Sequence, residues 1–296
     1  IKKSKDKYLG MGKLIIVGTP IGNLDDLTPR AVQALKECDF IIAEDTRVTA
    51  VLLAHTGISK KIFSSNGFTE ETKAEGFIKK ISEGCNAVLV TDAGMPCISD
   101  PGYKLIGKAA AAGIEVTVCP GASASVAAVA LSGLPCPSFG FYGFLPRKKG
   151  DCSARLKQIA SDSAHLAVFY ESPNRIIETL EIMKEVFPEA NAAVCNDITK
   201  KFEKVYRGTL SQVYGELAQN PKSDKGEYTI VLEKNSGQKE ESPFSPEAYL
   251  IQAMIDTDTD IKQAITFAAE KYGVPKKQLY AASLRLKEHF ALNKTK

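Results

Sequence analysis

The sequence predicts an α/β protein: two α/β domains in tandem, then a small helical unit. Three observations lead there. Short apolar runs alternate with longer stretches of helical period. The runs are continuous in Val, Ile and Leu rather than alternating, as in strands covered on both faces of a mostly parallel sheet. And 296 residues, at about 100–200 per domain, suffice for two domains and a little more.

The elements follow in order. Lys13–Gly18 (KLIIVG) is a buried strand, and Thr28-Pro29 starts a helix with a hydroxyl N-cap and proline in the first turn. Cys38–Glu44 is a second strand, with helical sequence after Thr46. Asn86–Thr91 and Glu115–Cys119 are further strands, separated by an Ala-rich helix from Gly102 to Ala112; Ala122–Leu131 is one more helix. The prolines at Leu134-Pro135-Cys136-Pro137 mark a domain boundary. Beyond it come SFGFYGF, a helix through Arg155–Ala160, the strand His165–Glu171 and a helix from Pro173 to Val186. AAVCND, KVYRG, a short helix and the strand Gly226–Lys234 complete the second domain. The expected division is an extension at 1–12, domains at 13–134 and 135–234, a polar linker at 235–246, and helices, helix-turn-helix-like, at 247–296.

Composition limits the function classes. Thirty-eight basic against 35 acidic residues leave a net charge of +3, too small to argue by itself for a nucleic-acid partner. No apolar run approaches the ~20 residues of a membrane span, so no membrane is expected. The basic N-terminus lacks the apolar core of a secretory signal, and Met11 reads as a natural start. Seven scattered cysteines and three histidines give no metal-ligand spacing; they read as buried reduced thiols in a reducing, cytoplasmic setting.

Chemistry is expected in the loops at strand ends, where open α/β sheets bind ligands. Val17–Asn23 (VGTPIGN) has two glycines and a proline, but not at dinucleotide-fingerprint spacing. Glu44–Arg47 (EDTR) offers carboxylates that can accept a proton and an arginine that can clamp phosphate; equally, Arg47 can pair with Glu44. In Thr91–Gly102 (TDAGMPCISDPG), Asp92 can brace the loop or touch a ligand, and Asp100 reads as an N-cap before Pro101. Ser123 in Pro120–Ser125 (PGASAS) can cap a helix or bond a ligand. Gly143–Asp151 carries the cations Arg147, Lys148 and Lys149, and Tyr170–Arg175 (YESPNR) starts a helix at Ser172-Pro173. Recurring at strand ends in both halves, these loops argue for a cleft between two domains.

The strings VGTPIGNLDDLTPRA, EDTR, TDAGMPCISDPG, PGASA, GFLPRKKG and YESPNR, in this order, closely resemble the bacterial 16S rRNA cytidine 2′-O-methyltransferases, a family of the tetrapyrrole-methylase fold and of class III S-adenosylmethionine methyltransferases. The match covers roughly Lys13–Lys234. The resemblance implies two αβα domains with S-adenosylmethionine between them, a homodimer, and 16S rRNA of the small ribosomal subunit as partner. By motif position it implies cofactor contacts at Pro20, Ile21, Asp92, Met95, Ser123, Ala124, Tyr170, Asn196 and Thr229. Two departures stand out: Asn174 where the family has His, and Asn196-Asp197 where it has Arg-Glu.

A ribose hydroxyl is a weak acid, so its methylation calls for a carboxylate base; Glu44 and Asp45 are the candidates, with Glu171 third. Arg47, Arg147, Lys148, Lys149 and Arg175 would hold the RNA backbone. The rival readings are a precorrin-type tetrapyrrole methyltransferase of the same fold and a non-catalytic RNA-binding assembly factor.

Overall fold

The computed structural model describes residues 10–65, 67, 70–234 and 244–292, with the side chains of 288–292 excepted. The chain divides into two units, one ending at Ser236 and one starting at Gly237.

In the first unit, β1 (Lys13–Val17), β2 (Phe40–Ala43), β3 (Lys61–Ser64), β4 (Ala87–Val90) and β5 (Glu115–Cys119) form a sheet in the order β3-β2-β4-β1-β5. Every pairing is parallel. Parallel neighbours need crossovers, and α1 (Pro29–Glu37), α2 (Thr46–Thr56), α3 (Glu70–Ser82) and α4 (Tyr103–Ala111) lie between the successive strands. Thr28 Oγ1 accepts from Ala31 N at the start of α1, ahead of Pro29, as its sequence predicts. The period of two divides each strand between two cores. Ile15, Val17, Ile41, Ala43, Val88 and Val90 meet Ala31 and Leu35 of α1 and Leu53 of α2. Leu14, Phe40, Ile42, Ala87 and Leu89 meet Phe77 and Ile81 of α3 and Leu105 of α4. Both faces are covered, which is why these strands read as unbroken apolar runs; each buried Leu, Ile or Val contributes about 1.5–3 kcal/mol.

The second sheet contains β6 (Phe139–Phe144), β7 (Leu166–Glu171), β8 (Asn191–Asn196), β9 (Lys204–Thr209) and β10 (Tyr228–Glu233), ordered β6-β7-β10-β8-β9. Only β6–β7 is parallel; β7–β10, β10–β8 and β8–β9 are antiparallel. Helices α6 (Lys149–Ala160), α7 (Ile176–Val186) and α8 (Leu210–Ala218) cover one face. The other face is covered by α5 (Ala124–Ser132), whose Ala128 packs with Val168, Ala193, Cys195 and Val231. The sequence assigns 124–132 to the first domain, but the apolar face of α5 belongs to the second sheet. The chain therefore passes from one sheet to the other at Pro120–Ser123, before the proline cluster.

The second unit has α9 (Pro246–Thr257), α10 (Ile261–Tyr272) and α11 (Lys276–Leu292) around Leu250, Ala253, Ile265, Ala268 and Leu279. Ser245 and Asp260 cap α9 and α10. Pro246, expected in the linker, opens α9; residues 1–9 of the expected extension and 235–243 of the linker lie outside the described residues. Among the described residues no helix is long and apolar enough to cross a membrane. Cys38, Cys119, Cys152 and Cys195 are buried, and burial pushes the Cys38 and Cys195 thiols up to about 11; Cys136 is exposed.

Candidate active site

A cavity of about 390 Å³ opens where loops of the two sheets meet. From the first sheet it is lined by Ile21, Met95 and the loop Ile98–Asp100; Ser123 and Ala124 line it at the start of α5. From the second sheet it takes Phe144, Tyr170, Ile198, Tyr228 and Thr229. Its size and mostly apolar lining suit a ligand of nucleoside dimensions.

Its back wall depends on two glycines. Thr19 and Gly94 exchange backbone hydrogen bonds (2.9 and 3.1 Å), tying the loop after β1 to the loop after β4. A Cβ on Gly18 would stand 2.7 Å from Gly121 Cα and 2.6 Å from Met95 Sδ, so the loops after β1 and β5 touch backbone to backbone. Gly94 and Met95, which line the cavity, are thus held against the main chain of the loops after β1 and β5.

The nine positions implied as cofactor contacts separate into two groups. Ile21, Met95, Ser123, Ala124, Tyr170 and Thr229 line the cavity; Pro20, Asp92 and Asn196 do not. Asn196 misses because of strand alternation. Cys195 belongs to the α5-side core, while Ala192 and Val194 face α6–α8, and Asn196 follows their parity. Its Oδ1 is buried without a hydrogen-bond partner. Ile198 reaches the cavity instead. Ser123, at the α5 N-cap, makes no side-chain cap bond; its Oγ lies 3.1 Å from Ser125 Oγ.

The candidate bases fare unequally. Asp45 caps α2, accepting from Arg47 N at 2.8 Å, and it also holds the Arg47 guanidinium. Those bonds pull its carboxyl down to about 2, which makes it a weak base. The arginine of this loop therefore pairs with Asp45 and not with Glu44. Glu171 is fully buried: Oε2 accepts from Thr179 Oγ1 at 2.7 Å and Oε1 from Ser172 N at 2.7 Å. It shares the parity of Ala167 and Phe169 on the α7 side, although the residue also lines the cavity. With both oxygens engaged and Arg175 Nη2 3.4 Å away, it is a weaker candidate base for a ligand there than Asp100. The helix expected from Pro173 is preceded by a turn, in which Ser172 O accepts from Arg175 N and Ile176 N, and α7 itself starts at Ile176. Arg175 donates to Leu145 O and Pro146 O (3.1 and 3.0 Å), bracing the basic loop internally instead of facing outward.

Glu44 accepts from Thr91 Oγ1 at 2.8 Å. Asp92 accepts from Asp45 N at 3.1 Å; burial, then the Glu44 and Asp45 charges, raise its carboxyl above the ordinary range. The sequence misses the fourth acid. Asp100 is not an N-cap, since α4 starts at Tyr103 behind Gly102. It is half-buried, lines the cavity and lies against the Thr91 hydroxyl. Burial first, then the Glu44 and Asp92 charges, push it up to about 6, opposed by the Thr91 hydrogen bond. The sequence clue was that Asp100 shares one stiff loop with Asp92. A carboxylate of that affinity can accept a proton near neutral pH.

Arg147 and Lys148 are exposed where the loop after β6 enters α6, and Lys149 pairs with Glu185 at 3.4 Å. Cations oppose the macrodipole at a helix N-terminus, so helix stability does not account for this placement.

Residues 13–214 match the model of the tetrapyrrole (corrin/porphyrin) methylases. Curated relatives carrying the name ribosomal RNA small subunit methyltransferase I are 38% identical in Haemophilus influenzae (92% of this chain, 96% of the relative) and 41% identical in Halalkalibacterium halodurans (91% and 93%). The relative of that name in Thermotoga maritima is 42% identical over 75% of this chain and 98% of its own length. Among solved structures, uroporphyrin-III C-methyltransferase from Thermus thermophilus superposes with a TM-score of 0.52 at 21% identity, covering 76% of this chain and 96% of that one. Cobalt precorrin-4 methyltransferase gives 0.56 at 18%, covering 74% and 94%; both speak for the fold. The chain belongs to the tetrapyrrole methylase family, within the group of ribosomal RNA small subunit methyltransferase I proteins.

Proposed function

We propose that this chain methylates the ribose 2′-oxygen of a cytidine in the decoding region of 16S rRNA, using S-adenosylmethionine. The observation that carries the reading is one mostly apolar cavity, lined by Gly94 and Met95 on one side and Tyr170 and Thr229 on the other, that also holds the Asp100 carboxylate. The name carried by the curated relatives supports the RNA substrate. S-adenosylmethionine supplies a methyl group already activated on a sulfonium. The chain fits it: Ile21, Met95, Ser123, Ala124, Tyr170 and Thr229 would hold the nucleoside and amino-acid portions, and the acids Glu44, Asp92 and Asp100 complement a cation.

The protein's own task is alignment, which supplies about 7–11 kcal/mol in well-oriented reactions. Asp100 takes the hydroxyl proton as the sugar oxygen is alkylated. Glu44 positions it through Thr91. Arg147 and Lys148 hold backbone phosphates of the RNA, with Arg47 and Lys149 adding charge through ion pairs that a polyanion can exchange. An rRNA substrate supports a cytoplasmic location. The family resemblance implies a homodimer, and sedimentation velocity tests it.

The experiment is incubation with labelled S-adenosylmethionine and small subunits lacking the modification, then mapping of the label. Label on a decoding-region ribose is expected. Label on a precorrin, with none on the particles, would replace the reading with tetrapyrrole methylation.

A further inference from the structure

Strand β6 does not run regularly. Phe141 pairs with Val168 and Phe144 with Tyr170, so three residues of β6 advance against two of β7. The irregularity is a bulge at Gly143, whose φ of +64° suits glycine. Its effect is on side-chain direction. Phe141 faces the α5-side core, and Tyr142 stacks on Phe169 in the opposite core. A regular strand would send Phe144 after Tyr142, away from the cleft. The extra residue turns it back, so that Phe141 and Phe144 both meet Tyr170 edge-on, at 4.8 and 5.8 Å. Phe144 lines the cavity yet is 59% exposed.

The surroundings of this ring match the parts of one nucleotide. Ile98, also on the cavity wall, is 44% exposed and adds apolar surface. A Cβ on Gly143 would stand 3.3 Å from Ser99 Oγ, so the loop bearing Asp100 abuts the bulge. Three residues after Phe144, the exposed cations Arg147 and Lys148 begin. Carboxylate and apolar ring line one cavity, and the cations follow the ring in the same loop, an order that suits a sugar hydroxyl, a base and a phosphate. An exposed Phe costs solvation unless something covers it, and a base has the flat apolar face to do so.

We propose that Phe144, turned into the cavity mouth by the Gly143 bulge, is the stacking platform for the base of the nucleotide being methylated. This rests on the RNA reading above and adds the acceptor's position: an unstacked base lies on Phe144 while its ribose faces Asp100.

The test uses the full chain, a decoding-region RNA and the same RNA with an abasic sugar at the target. Phe144→Ala is expected to weaken binding of the intact RNA about 5- to 150-fold, the range of one base–aromatic stack. Binding of the abasic RNA should stay the same for wild type and variant, as should the affinity for S-adenosylhomocysteine by calorimetry. Phe144→Tyr should restore binding, whereas Phe144→Leu, apolar but without a ring, should not. Equal losses for intact and abasic RNA, or weakened S-adenosylhomocysteine binding, would overturn the assignment, as would a fully competent Leu variant. If wild type methylates the RNA while Phe144→Ala binds it normally, this inference alone fails. If wild type methylates no RNA, the reading beneath it fails and takes this one with it.

Discussion

The two sheets present unlike edges to the same cavity. In the first, every pairing is parallel, so the C-terminal ends of β1, β2, β4 and β5 all point one way. The loops leaving them bring Gly18, Glu44, Asp92 with Asp100, and Gly121 to one rim. In the second, β10 runs antiparallel to both neighbours, and the register sets Tyr228 beside Glu171 and Asn196. Its cleft edge therefore combines strand ends with a strand beginning, and it brings the aromatic rings Phe144, Tyr170 and Tyr228 to the cavity. The parallel sheet gathers charge that chemistry can use. The mixed sheet supplies surface on which a large substrate can lie.

The comparison is sharpest between two acids, Asp100 at the first edge and Glu171 at the second. Asp100→Asn should lower kcat about 10²- to 10⁴-fold, the usual contribution of a general base. Wild-type activity should fall below a pH of about 6, where Asp100 protonates among Glu44, Asp92 and Thr91, and the variant should lose that limb. A retained limb would move the base elsewhere. Stability should change in the opposite sense. A carboxyl raised from 3.8 to about 6 on folding stabilises the fold only while protonated, so its ionisation costs stability as the pH rises through that window. Asp100→Asn should melt with wild type near pH 3.5 and above it at pH 7.

Glu171→Gln should do the reverse. It leaves the cleft chemistry in place but weakens the bonds to Thr179 and Ser172, at a cost of about 1–3 kcal/mol. Thermal melting should show the loss while the pH–rate profile keeps its shape. A shifted profile would return Glu171 to the reacting centre.

These two acids also show which features the sequence could reveal. Continuous apolar runs, the Thr28-Pro29 start and the glycine loops were legible because each depends on local chemistry: coverage on both faces, a cap, a close approach. Glu171 could not be placed the same way, since a strand-end acid faces cleft or core by parity, and parity needs the register with β10 and β8. Asn196 failed for the same reason. Thr229 sits near the start of its strand, where a rule about strand C-termini does not look, and only the family resemblance pointed to it. Helix α5 was assigned to the wrong sheet because its small, apolar sequence fits either. Asp100 was hidden behind Pro101, a pairing that usually announces a cap. The Gly143 bulge is one residue in FGFYGF and becomes visible only against β7.

The smallest expected effect concerns the cations. Arg147→Gln with Lys148→Gln should leave melting nearly unchanged, because both side chains are exposed and belong to no core. The difference should appear in the salt dependence of RNA binding. Each phosphate contact to single-stranded nucleic acid contributes about −0.7 to the slope of log K against log salt, so losing two should flatten it by about 1.4. At high salt the affinities of variant and wild type should converge, since the lost contribution is counterion release. Arg175→Gln is the control: its guanidinium is spent on Leu145 O and Pro146 O, so it should leave the slope alone and lower stability. If instead the double variant kept the wild-type slope and Arg175→Gln flattened it, the RNA backbone would lie against the base of the loop, and the division of work between the two edges would have to be redrawn there.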